Sequence, residues 1–208
     1  MSEKKTKAPR KKLYLRVDER EDAINALEHC AEIASVLAKP ANWKWCLISI
    51  HNALQGALVC TLSGTDQAGA LDDSSFKKWH EWLKASRSNS DLKPPRREKL
   101  ADLLTLLKRA ESKDWMAEFG GKPIAVTPEV RKDIAHLNSL RNDFIHFTPK
   151  GWSIELAGLP RILLNACSLI DHLMLTHPSN TYRLNKSQTA RIKKALRTLR
   201  RILGSVGR

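Results

Sequence analysis

The chain is expected to be all-α: an antiparallel four-helix bundle with an inserted segment of short helices and a basic C-terminal helix. Three observations predict this. Apolar residues recur three and four apart over long stretches, as in helices that bury one face. The stretches are bounded by Asp, Asn, Thr, Ser and Pro residues that start or stop helices. Alternation of the strand type is confined to a short segment, Trp152-Ser-Ile-Glu-Leu.

The first helix is expected over 18–38, opened by a capping box of Asp18 and Glu21 and stopped by Lys39-Pro40. Its inward face holds Ala23, Leu27, Cys30, Ala34 and Leu37. The second is expected over 42–62, capped by Asn42, with Trp43, Cys46, Leu47, Ile50, Leu54, Ala57 and Leu58 in a wide apolar stripe that marks it as the central helix. His51, Asn52 and Gln55 form a polar strip along it, read first as an exposed edge or as groups satisfied by a partner helix, and otherwise as a wall of a nucleotide site.

Over 64–126 short helical pieces alternate with breakers, at about 74–85, 96–110 and 113–119. We read this stretch as an insertion, because no piece is long enough to bury a core of its own. Trp79, Trp82 and Trp115 are read as docking anchors, with base stacking as the alternative. Gly120-Gly121-Lys122 lacks the rest of a phosphate loop. A helix over 127–146 follows, with Thr127 as N-cap, Pro128 at the first helical position and Glu129 at the positive end of the dipole. Pro160 opens a further helix to about Thr176 that completes the bundle. Ser187 is expected to cap a last helix with Ile192, Leu196, Leu199 and Leu203 on one face and cations around the rest.

Composition bounds the function. With 208 residues and 42% hydrophobic residues the chain is globular, and its net charge of +14 sits at the ends. Residues 1–12 carry six Lys/Arg and one acid (+5), and 183–208 carry nine and none (+9); 5 + 9 = 14 leaves 13–182 neutral. The division expected is a basic disordered arm (1–12), a helical domain (13–182) and a basic amphipathic helix (183–208) that binds polyanion, RNA first, or only solubilises the chain. With no run of eighteen apolar residues and no secretory h-region, neither a membrane span nor export is expected, and the expected location is cytoplasmic. Cys30, Cys46, Cys60 and Cys167 read as reduced core cysteines, and no structural metal or other cofactor is expected.

The candidate site is Arg141-Asn142-Asp143-Phe144-Ile145-His146, in the last turns of a helix that Thr148-Pro149-Lys150-Gly151 ends. Asn142 and His146, four apart, share a face, while Arg141 lies roughly 140° from His146 and reaches round to it. An imidazole can move the proton of a 2′-hydroxyl, and a guanidinium fork can bind the phosphate as its charge grows. Arg131 and His136 repeat the spacing in mid-helix, where Lys132 follows the Arg and side chains pack or face water. The other role open to Arg141 and His146 is to satisfy the carbonyls and the negative dipole at the helix end.

Arg141-Asn142-x-x-x-His146 late in a helix of an all-helical chain resembles the signature of the HEPN superfamily (higher eukaryotes and prokaryotes nucleotide-binding): an Arg, four to six residues, then a His, with Asn, Asp or His favoured after the Arg. The resemblance implies a HEPN-type bundle and a metal-independent endoribonuclease acting as a homodimer, often a toxin or defence effector, with an antitoxin or regulatory protein as a further partner. It assigns catalysis to Arg141, Asn142 and His146 and covers only the helices around them. A non-catalytic RNA-binding or adaptor module is the alternative. RNA contacts are expected from Arg191, Lys193, Lys194, Arg197, Arg200 and Arg201. Lys150 and Trp152 either touch RNA or serve as a solvated loop lysine and a lid over the core.

Overall fold

In the computed structural model, residues 13–15, 17–64, 68–95, 98–118, 121–146, 149 and 151–206 are described. The basic arm at 1–12 and the candidate RNA contact Lys150 lie outside them. The described chain is all-helical: α1 (Glu19–Ala34), α2 (Asn42–Leu62), α3 (Asp73–Ser86), α4 (Leu103–Glu111), α5 (Lys113–Glu118), α6 (Pro128–Ile145), α7 (Leu159–Asp171), α8 (Pro178–Thr181) and α9 (Lys186–Val206), with a π-helical turn, His172–Thr176, running on from α7. The extended segment expected after the motif forms no strand.

α2 is the axis of the bundle, as its apolar stripe predicts. Trp43, Cys46, Leu47, Ile50, Leu54, Ala57 and Leu58 are all buried, and α1, α4, α6 and α7 pack around the helix. It has the length and mean hydropathy of a membrane-crossing helix (21 residues, 1.3), but 67% of that window is buried inside the bundle. α1 runs antiparallel to α2, since Cys30 meets Cys46 while Ala23 lies against Gly56. A Cβ at Gly56 would fall 2.7 Å from the Ala23 Cβ, so the two backbones come closer than any larger residue permits. The four cysteines are buried and form no disulfide; burial pushes the Cys60 and Cys167 thiols up to about 12, which leaves those two as inert packing groups.

Local chemistry sets the helix ends and departs from expectation in four places. Asp18 caps α1 by accepting from the Arg20 and Glu21 backbone N–H groups, but the helix stops at Ala34, where the Ser35 hydroxyl donates to the Glu32 carbonyl. Asn42 does not cap α2; its amide donates backwards to the Val36 carbonyl at 2.7 Å and ties down the α1–α2 turn. α4 begins at Leu103, later than expected, because Asp102 accepts from Leu104 and Thr105. The cap of α9 is Asn185, two residues before the expected Ser187, which exchanges hydrogen bonds with Gln188 in a reciprocal box.

Two larger corrections concern the pieces read as additions to the bundle. α4 packs on α2 and α6 through Leu103, Leu106, Leu107 and Ala110, so it belongs to the main core. Arg109, buried on the same helix, fastens the preceding chain to it: Nη1 donates to the Gly69 and Leu71 carbonyls, Nη2 binds Asp73, and the guanidinium lies 4.1 Å from the centre of the Trp115 ring. α9, in turn, is no appendage. Ile192, Leu196, Leu199 and Leu203 are fully buried between α1 and α7, and the helix closes the bundle.

Candidate functional site

Thr127 caps α6 through the Val130 N–H, and Pro128 occupies the first turn, as the sequence predicts. The helix runs antiparallel to α2: Lys44 lies over Phe144 and His51 meets Asn138. Leu137 and Leu140 are buried on its inner face. That anchoring fixes where the last turns point. Arg141 emerges half-buried, Asn142 is exposed, and His146 stands exposed at the C-cap, its backbone N–H on the Asn142 carbonyl at 2.8 Å.

Two of the three candidate catalytic residues are joined directly. Arg141 Nη1 donates to Asn142 Oδ1 at 2.9 Å. The His146 ring makes no hydrogen bond or ion pair with another described residue. Arg141 likewise has no carboxylate partner among the described residues, unlike Arg109 on Asp73, Arg131 on Glu111, Arg161 on Asp133, Arg191 on Glu21 and Glu28, and Arg200 on Asp171. Arg20 and Arg183 are half-buried without a described carboxylate as well, so what distinguishes Arg141 is its tether to Asn142 beside the exposed His146.

Behind Arg141 stands a residue that the sequence offered only as part of a polar strip. His51, 1% exposed, lies with Nε2 3.0 Å from Asn138 Oδ1 across the α2–α6 seam, which is the partner-helix role expected of that strip. Burial lowers its pKa, the Asn138 bond opposes that shift, and the positive charge of Arg141 adds to it. A neutral, hydrogen-bonded imidazole therefore backs the helix face just before Arg141. The antiparallel register of α2 and α6 would have found this pair, but sequence alone does not give the register.

The tryptophans of the middle segment pack. Trp82 Nε1 donates to the Leu92 carbonyl, its ring lies 5.0 Å from that of Trp79, and Trp115 Nε1 donates to Gly69. Gly121 serves close packing: a Cβ there would meet Met116, His177 and Ser179 within 2.9 Å. Trp152 packs on the core with its ring 5.0 Å from Phe144.

The candidate RNA cations of α9 divide in two. Arg191 is spent inside the protein, on Glu21, Glu28 and Asn25, and the two carboxylates raise its pKa; Arg200 is paired with Asp171. Both clamp α9 to the rest of the bundle. Lys193, Lys194, Arg197 and Arg201 remain exposed without a carboxylate partner among the described residues. No group of three or more His, Cys, Asp or Glu among the described residues could hold a metal ion.

The class defined so far is an all-helical bundle with an uncompensated Arg-Asn-x-x-x-His helix end. No protein-family model matches the chain, and neither a curated protein nor a solved structure matches it.

Proposed function

We propose that the chain is a HEPN-type endoribonuclease that cleaves RNA without a metal ion. The observation that carries this reading is the state of Arg141: half-buried, tethered to Asn142, without a described carboxylate partner, and in the same last turns as the exposed His146. Such a guanidinium is preorganised for a phosphate. In the proposed step His146 takes the 2′-hydroxyl proton, the 2′-oxygen bonds to phosphorus, and the bond from phosphorus to the 5′-oxygen breaks. The products are a 2′,3′-cyclic phosphate and a 5′-hydroxyl end, the latter needing one proton. Arg141 holds the non-bridging oxygens, and Asn142 holds Arg141.

Each chain offers one motif histidine, whereas the reaction uses a base and an acid. A homodimer with its two-fold axis beside the end of α6 would supply the second imidazole and a second guanidinium. Enzymes of the kind it resembles often act as toxins or defence effectors, and restraint by an antitoxin or regulatory protein would go with that role.

A second reading, a non-catalytic RNA-binding or adaptor module, draws on Lys193, Lys194, Arg197 and Arg201, an exposed cationic face that grips polyanion with or without chemistry. Incubation of the purified protein with labelled RNA in EDTA separates the two. The nuclease leaves cyclic-phosphate ends and loses them in His146→Ala; binding without cleavage by wild-type protein assigns the adaptor. For the dimer, wild-type chains mixed with excess Arg141→Ala/His146→Ala chains should lose activity as the square of the wild-type fraction. A linear fall would leave each His146 acting alone.

A further inference from the structure

Beside the candidate site is a cleft whose lining resembles neither a protein core nor an ordinary surface. About 500 Å³ in volume, it lies between the start of α2 and the end of α6 and is walled by Trp43, Trp45, Phe144, Trp152 and Leu156. Among the described residues its one charged lining residue is Lys44, whose Nζ lies 5.0 Å from the centre of the Trp45 ring and 5.7 Å from that of Phe144. Among the described residues no acid lines it and Lys44 pairs with no carboxylate. Trp45 is 52% exposed and leaves its ring to solvent, although a wholly structural tryptophan would be covered as Trp43 is, at 5%.

We propose that this cleft takes one unstacked base of single-stranded RNA, stacked on Trp45, with the adjoining phosphate on Lys44. The occupant follows from the lining. Flat aromatic faces with an uncompensated cation between them match a flat heteroaromatic ring that carries an anion, and the volume falls in the range of small-ligand sites. A second copy of the chain fits worse, because a symmetric contact centred here would bring a second Lys44 into the same apolar patch. Position supports the assignment as well. Phe144 lies three residues from Arg141 on α6 and so shares its face, which sets a base in the cleft beside the guanidinium proposed to hold the phosphate. The choice of RNA as ligand rests on the ribonuclease reading.

The test uses the full chain and a short all-2′-deoxy single strand carrying one 2-aminopurine, which offers no 2′-hydroxyl to the proposed chemistry and so reports binding alone. Wild-type protein should quench the 2-aminopurine on binding. Trp45→Ala should bind about tenfold more weakly with the quench lost, since a stacked base is lost, and Trp45→Phe should keep most of both. Lys44→Gln should flatten the log–log salt dependence by roughly 0.7, one phosphate contact. Binding unchanged in both Trp45→Ala and Lys44→Gln overturns the assignment. So does failure of the wild type to bind, and so does a dimer that becomes monomeric in Trp45→Ala with binding retained, which would make the cleft an interface between copies. Cleavage of the matching RNA strand is scored separately. Binding as expected with intact RNA removes the nuclease and keeps the cleft; cleavage with Trp45→Ala binding as wild type does the reverse.

Discussion

α6 carries the same pair twice. Arg131 and His136 lie in its first half, Arg141 and His146 at its end, each pair with four residues between. In the first, Arg131 places both Nη atoms on the two carboxylate oxygens of Glu111, the last residue of α4, and this ion pair raises its pKa; His136 is exposed on the helix side. In the second, Arg141 is half-buried, its Nη1 is on the neutral amide of Asn142, and no described acid neutralises it. The difference comes from what the fold brings to each. The packing of α4 on α6 delivers a carboxylate to Arg131, whereas the far end of α6 faces α2, which offers His51 and Lys44. Spacing produces candidate pairs; the neighbouring helix decides which cation keeps its charge free.

The largest effect expected from this contrast is on cleavage. Arg141→Ala and His146→Ala should each cost about 100-fold or more in kcat, the usual scale for a lost proton carrier or anion contact, while Arg131→Ala and His136→Ala stay within about twofold of wild type. Arg141→Lys should also be poor, because a point charge does not reproduce a fork. Equal losses in both pairs, measured with labelled RNA in EDTA, would erase the distinction.

Next in size is the seam behind the second pair. His51→Ala removes a buried ring and strands the Asn138 amide, and urea titrations should show a loss of about 2–4 kcal/mol. Its folded pKa is lowered, mainly by burial, so below the ordinary value of 6.5 the unfolded chain takes up the proton first. The His51 contribution to stability is therefore complete above about pH 6.5 and declines as pH falls from there through the folded pKa. Stability of wild type should drop between pH 7.5 and 5 more steeply than that of His51→Ala. Parallel curves would mean that His51 does not titrate on unfolding.

The smallest effect should come from the first pair. Glu111→Gln gives Arg131 the uncompensated state of Arg141, and because Arg131 is half exposed, at 50%, the loss of stability should be under about 1 kcal/mol. RNA cleavage should not change. A gain in cleavage or in RNA affinity would show that any unpaired arginine on α6 serves, and that the helix end has no special standing.

The sequence was legible where a side chain acts on its own neighbours. Asp18, Thr127 and Pro128 start helices as expected, and the apolar stripe of α2 marks the central helix. It misled where two nearby groups compete for one role. The Asn42 amide reaches the Val36 carbonyl and is lost as a cap, and Asn185 with Gln188 displaces Ser187. The basic helix shows why a charge count by segment fails. A stripe of Ile192, Leu196, Leu199 and Leu203 looks the same on an RNA-binding arm as on a bundle helix, and the neutral balance of 13–182 includes Glu21, Glu28 and Asp171, whose partners Arg191 and Arg200 lie outside that range. At the site, the order of residues gave Arg141, Asn142 and His146, but His51 and Lys44 come from another helix and needed the α2–α6 register.

The closure of the bundle by α9 also sets an order of assembly. Arg191 binds Glu21 and Glu28 across 170 and 163 residues of chain, and the buried seam between α1 and α7 is filled by side chains as late as Leu203. A chain leaving the ribosome N-terminus first forms α1 and α2 early, yet α1 keeps an uncovered flank until α9 emerges. Until then the α2–α6 seam that holds Arg141 is built on an unfinished core.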